Sequence, residues 1–136
     1  MNQRKSQVRR FYDVLWNAHD KTAIASVLSE NFSFRGSLGQ DKRGHLGFVE
    51  YLDMVHAALD DYRCTIDELV AEGDKVFAKM TFGGVHIDKF MGYDASGKRL
   101  EWKGCALFTF QDDLISDACV LGDLKNLEDQ LKRNET

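Results

Sequence analysis

Four histidines, three cysteines and a few isolated polar side chains hold most of the chemistry open to this chain. His19, His45, His56 and His86 show neither HxxxH nor HxH spacing and have no acidic cluster beside them, so no metal is expected. Cys64, Cys105 and Cys119 are odd in number and form no CxxC, which argues against a disulfide framework. Free thiols in a reducing cytoplasm are the expectation. Gly36-Ser37-Leu38-Gly39 lacks the lysine of a phosphate loop, and no G-x-S-x-G elbow anchors a hydrolase triad.

What remains is proton transfer and hydrogen bonding. His86 shares, by parity, the strand face of Met80 and Phe82, where an imidazole can act as acid or base near neutral pH. Bonding to a backbone carbonyl at a strand end is the competing reading. Asp123 can hold a proton if apolar surroundings raise its pKa, or it is simply a helix N-cap. Arg35 alternates with Phe32 and Phe34, so it either reaches a cavity mouth to hold a carboxylate or enolate, or is a solvated edge-strand arginine. Tyr51 either offers its phenol to a substrate oxygen or bonds internally.

The elements that must position these groups follow from periodicity. Val8, Phe11, Tyr12, Leu15 and Trp16 make one helical stripe, predicting a helix over 3–18. Asp20 caps a short second helix whose buried side is Ala23, Ile24, Val27 and Leu28. Asn31–Arg35 reads as a short strand, Gly36–Gly44 as a loop, and Phe48, Tyr51, Leu52, Val55 and Leu59 as a third helix closed by Asp60-Asp61. From Tyr62 the period becomes 2. Strands separated by Glu72-Gly73-Asp74, Ser96-Gly97-Lys98 and Asp112-Asp113 run to Leu121, and Leu124, Leu127 and Leu131 predict a last helix.

The 136 residues suit one domain over 1–136, and fifteen aromatics supply a sizeable core. A net charge of −4 disfavours nucleic acid and anionic membranes as partners and leaves a small-molecule ligand or another protein. The basic start Met1-Asn2-Gln3-Arg4-Lys5 is followed by no apolar stretch, so no signal peptide is expected, and no run is long enough to span a bilayer. Helices gathered on an antiparallel sheet make an α+β domain in which a curved sheet can enclose a conical hollow.

Two stretches resemble a known family. Gly84-Val85-His86-Ile87-Asp88-Lys89-Phe90-Met91-Gly92 is similar to the G-x-H-x-G-x-x-x-G segment of SnoaL-like polyketide cyclases. The ending through Val120-Leu121-Gly122-Asp123-Leu124 to Gln130-Leu131 resembles their closing strand and helix. The resemblance implies the cone-shaped nuclear transport factor 2-like fold, a homodimer packed through outer sheet faces, and aldol ring closure on a polyketide ester without metal or cofactor. It also implies an acid/base Asp on the last strand and a His on the strand before, and this chain has Val120 and Ala106 there. Neither side chain titrates, so that mechanism does not carry over. Asp88 and Asp113 stand where the pattern has glycines.

His86, which matches the motif histidine, and Asp123, which matches a carboxylate near the end of the last strand, are therefore the candidate catalytic pair. Trp16, Arg35, Tyr51 and Val55 from the first half of the chain are candidate ligand contacts. So are Met80, Phe82, Phe90 and Trp102, with Ala106, Phe108 and Val120 on the last two strands. Ala106 and Gly104 beside Trp102 are expected to leave space. The leading expectation is a cofactor-independent cyclase or isomerase acting on a small, partly apolar carbonyl compound. A non-catalytic binding protein and a dimerisation module with a filled cone are the alternatives.

Overall fold

The structure, a computed structural model, describes residues 3–135; Met1 and Asn2 of the basic start, and Thr136, lie outside the described residues. Helix α1 (Gln3–Arg10) runs straight into a π-helical segment (Phe11–Asn17), so the single helix predicted over 3–18 changes its winding halfway. Phe11, Tyr12, Leu15 and Trp16 are all buried in that wider segment, and Ala18 N donates to Asp13 O across the five-residue step. Asp20 caps the 3-10 turn Lys21–Ala23 by accepting from Thr22 N, and α2 (Ile24–Val27) is a single turn.

The sheet draws residues away from the predicted helices. Leu28 opens β1 (Leu28–Arg35), and Leu59, expected on the third helix, opens β3 (Leu59–Glu72) after α3 (Gly44–Ala58). In each case the backbone finds a strand partner, Ile115 for Leu28 and His86 for Leu59. The predicted loop contains a short strand, β2 (Asp41–Arg43). β4 (Lys75–His86), β5 (Arg99–Gln111) and β6 (Leu114–Gly122) follow, with α4 (Leu124–Arg133) last.

The six strands lie in the order β2-β1-β6-β5-β4-β3. All neighbours are antiparallel except β1 and β6, which run parallel. Bulges between Asp60 and Arg63, Ile66 and Glu68, and Thr109 and Phe110 bend and twist the long strands into a curved sheet. Asp112 takes φ 56° in the β5–β6 turn, a left-handed conformation that aspartate tolerates better than most residues.

The concave face carries Val76, Ala78, Met80, Phe108 and Ala118, all fully buried. The π-helical segment and α3 cover one end of this face. Phe11 is the hub, with its ring 5.4 Å from Phe48 and 5.4 Å from Phe108. At the other end α4 is tied to β5 through the Gln130 side chain, which donates to Glu101 O at 2.6 Å and accepts from Glu101 N. The convex face is different. Val70, Phe77, Leu107 and Leu121 are 60%, 42%, 45% and 59% exposed, and Phe77, Leu107 and Cys119 stand in one cross-strand row. Cys105 and Cys119 share that face, and all three thiols are free.

Candidate functional site

Between the π-helical segment and the sheet lies a narrow aromatic cavity. The helix contributes Phe11, Tyr12 and Trp16, and β1 with the following turn contributes Phe34 and Ser37. Tyr51 of α3 and Tyr62, Phe82 and Val120 of the sheet complete it. No charged side chain lines it. Its volume is about 10 Å3, room for about one water molecule.

The helix that presents Tyr12 and Trp16 is fixed at two points. The Asn17 amide donates to Cys64 O at 3.0 Å and accepts from Cys64 N at 2.7 Å, riveting the segment to β3. His56 Nε2 lies 2.7 Å from Trp16 O, and as the carbonyl can only accept, this nitrogen carries the proton. The His56 ring stacks on His19 at 3.9 Å, and His19 Nε2 lies 2.8 Å from Asp53 Oδ1. Burial holds the His56 pKa below its ordinary value, the Trp16 bond opposing and the neighbouring His19 adding to the shift.

Three phenols reach the cavity, each in a different state. Tyr51 Oη accepts from Leu38 N at 3.2 Å, and the ring packs against Gly36, leaving no room there for a Cβ. Tyr62 Oη accepts a bond from Cys64 Sγ at 3.4 Å. Tyr12 Oη is buried and has no hydrogen-bond partner among the described residues. Burial pushes the Tyr12 and Tyr62 hydroxyls well above their ordinary pKa, and nearby Cys64 adds to the effect in both. All three stay protonated through the physiological range.

Of the expected ligand contacts, Trp16, Tyr51, Phe82 and Val120 line this cavity. Val55, Met80, Phe90, Trp102, Ala106 and Phe108 are buried but packed elsewhere in the core. The space expected beside Gly104 does not exist, because the Phe82 ring fills it; a Cβ on Gly104 would stand 2.5 Å from that ring. Arg35 is neither free nor at the cavity. It donates to Val120 O at 2.6 Å and lies in an open groove beside Asp41, Arg43 and Asp117.

His86 and Asp123 do not share a site. Asp123 is exposed and caps α4, accepting from Asn126 N at 3.1 Å. His86 is 1% exposed, 6.2 Å from Phe90, and neither ring nitrogen has a partner among the described residues. Their backbones bond to Lys98 and Lys103 of the β5 side, five positions apart, which is about 17 Å along an extended chain. Parity alone gives the face of His86 but not its distance from another element.

Tyr12, Phe11, Phe34 and Tyr62 were legible as inward-facing residues but not as cavity residues. The unpaired hydroxyl singles out Tyr12, and pairing cannot be read from spacing. Ala106 and Val120 are direct cross-strand partners on the concave face, so titratable groups at these two positions would meet. Among the described residues no three His, Cys, Asp or Glu side chains gather as metal ligands, and no helix is long and apolar enough to cross a membrane.

The sequence profile of SnoaL-like polyketide cyclases matches residues 6–131. Among solved structures, TsrD from Streptomyces laurentii is 26% identical with a TM-score of 0.83, covering 95% of this chain and 94% of its own. A candidate polyketide cyclase from Acidithiobacillus ferrooxidans is 18% identical with a TM-score of 0.87, over 98% of this chain and 97% of its own. A SnoaL-like polyketide cyclase from Agrobacterium tumefaciens is 20% identical with a TM-score of 0.81, over 96% and 99%. No curated protein matches the chain in sequence.

Proposed function

Because the chain belongs to the SnoaL-like polyketide cyclase family, we propose that it binds a small, partly apolar carbonyl compound of polyketide type in the aromatic cavity, without the aldol proton transfer that the family resemblance implies. The observation that supports this reading is Val120. It stands where the resemblance implies the acid/base carboxylate, is 3% exposed, and lines a cavity with no ionisable group other than phenols. A valine leaves apolar surface and no proton to give.

The turn from Gly36 to Gln40 borders the cavity through Ser37. It closes on itself through Gly36 N to Gln40 O and Gly39 N to Gly36 O, and holds Tyr51 through Leu38 N. A ligand-sized pocket is about 300–1,000 Å3, far above the roughly 10 Å3 present. Binding in this cavity therefore requires its walls to move apart. The exposed apolar residues Phe77, Leu107 and Leu121 of the convex face support a homodimer, which Leu121→Lys should convert to monomer in analytical ultracentrifugation.

The test is tryptophan fluorescence, to which Trp16 at the cavity and Trp102 both contribute, during titration with a panel of polyketide-like esters and ketones, followed by a turnover assay of any binder. Saturable binding without turnover is expected, and turnover by wild type that His86→Ala abolishes would overturn the reading. Failure of every compound while the dimer persists would favour the second reading, a dimerisation module with a filled cone, which the 10 Å3 volume itself favours.

A further inference from the structure

The polar atoms around the cavity are unequal, and the inequality points to where a ligand is held. Tyr51 Oη and Tyr62 Oη each accept a hydrogen bond from the protein. Tyr12 Oη has no such bond, although it is enclosed and its residue is only 1% exposed. A buried hydroxyl without a partner is costly, and such groups are nearly always paired in folded proteins. Nothing in the fold forces the residue to be tyrosine. Its ring makes edge contacts with Phe11 at 5.0 Å and Phe108 at 5.9 Å, which phenylalanine would make equally well.

We propose that the Tyr12 hydroxyl donates the hydrogen bond that anchors the carbonyl oxygen of an uncharged ligand, and so sets the specificity of the cavity. This rests on the cavity-binding reading above and deepens it. The donor is a phenol that stays protonated, so it offers a proton to an oxygen lone pair and cannot serve as a base. The surrounding Phe34, Phe82 and Val120 provide apolar walls with no cation, and a carboxylate moved there from water would lose hydration without an ion partner. A neutral ketone or ester loses far less. Tyr12 and Trp16, four residues apart on the π-helical segment, both line the cavity, which places the donor in the same small space as an indole ring.

The probes are 1-tetralone, a neutral aryl ketone, its hydrocarbon twin tetralin, and the anion 1-naphthoate, each titrated calorimetrically against wild type and Tyr12→Phe. Wild type should bind 1-tetralone about tenfold more tightly than tetralin, about 1.4 kcal/mol, and should bind 1-naphthoate most weakly. Tyr12→Phe should bring the ketone-to-hydrocarbon ratio close to one, chiefly by weakening 1-tetralone. The carbonyl stretch of bound 1-tetralone, measured in wild type, should move to lower frequency and thus reads the bond without any variant. If ketone and hydrocarbon bind wild type equally, or Tyr12→Phe keeps the preference, the Tyr12 assignment falls and cavity binding stands. If 1-naphthoate binds most tightly, the neutral-ligand assignment falls. If no probe binds wild type, the cavity-binding reading falls and takes this inference with it.

Discussion

His86→Leu should stabilise this protein. His86 is 1% exposed, and both ring nitrogens lack partners among the described residues while the ring lies edge-on to Phe90. The imidazole brings two polar nitrogens into the core. Leaving a buried polar atom unsatisfied costs about 1–3 kcal/mol, whereas an apolar group of similar shape carries no such cost. Leucine matches the imidazole closely in size, so the packing loss is small, and a net gain of about 1–2 kcal/mol is expected. With about 2.1 cal/mol/K of unfolding entropy per residue, a chain of 136 residues gains about 3–4 °C for each kcal/mol. The melting temperature should therefore rise by roughly 3–7 °C. In urea, the midpoint should rise with an unchanged m-value. His86→Gln, which keeps two polar groups in the same place, is the control and should not gain. A loss of 1 kcal/mol or more in His86→Leu would mean that the imidazole makes a bond the described geometry lacks, and the reasoning would fail.

Three further outcomes are expected. Asp123→Ala should cost about 1 kcal/mol of stability by removing the α4 cap, and should leave ligand binding within error; a binding defect in calorimetry would return Asp123 to the site. Gly104→Ala should destabilise by about 1–3 kcal/mol, because the new Cβ would meet Leu121 O at 2.7 Å as well as the Phe82 ring, and a thermal melt equal to wild type would show that the sheet yields there. Burial holds the pKa of His56 below 6.5, so the unfolded chain takes up the proton first as pH falls. The stability this confers is present above pH 6.5 and is lost as pH falls below it toward the folded-state value. Urea midpoints at pH 7.5 and 5.5 should separate more for wild type than for His56→Gln, and equal separations would remove His56 as the cause.

The fold was largely open to reading because its signals are local. The stripe through Phe11, Tyr12, Leu15 and Trp16, the alternation from Tyr62 onward and the cap at Asp123 each depend on neighbours in the chain. The same stripe could not reveal the π-helical winding, which is anchored from outside by the Asn17 bonds to Cys64. Nor could the alternation around Phe34 and Arg35 show that β1 runs parallel to β6, which takes Arg35 to the Val120 carbonyl instead of the cavity.

The sequence by itself determined the family and most of the order of elements, and it put the apolar Ala106 and Val120 on the last two long strands, since residue type and spacing are written along the chain. Only the tertiary structure decided which inward residues meet. It filled the space at Gly104 with the Phe82 ring, separated His86 from Asp123, and left Tyr12 as the unpaired hydroxyl of the cavity. Distances across elements arise from packing and strand pairing, and a hydrogen-bond partner exists only once two distant segments have been brought together.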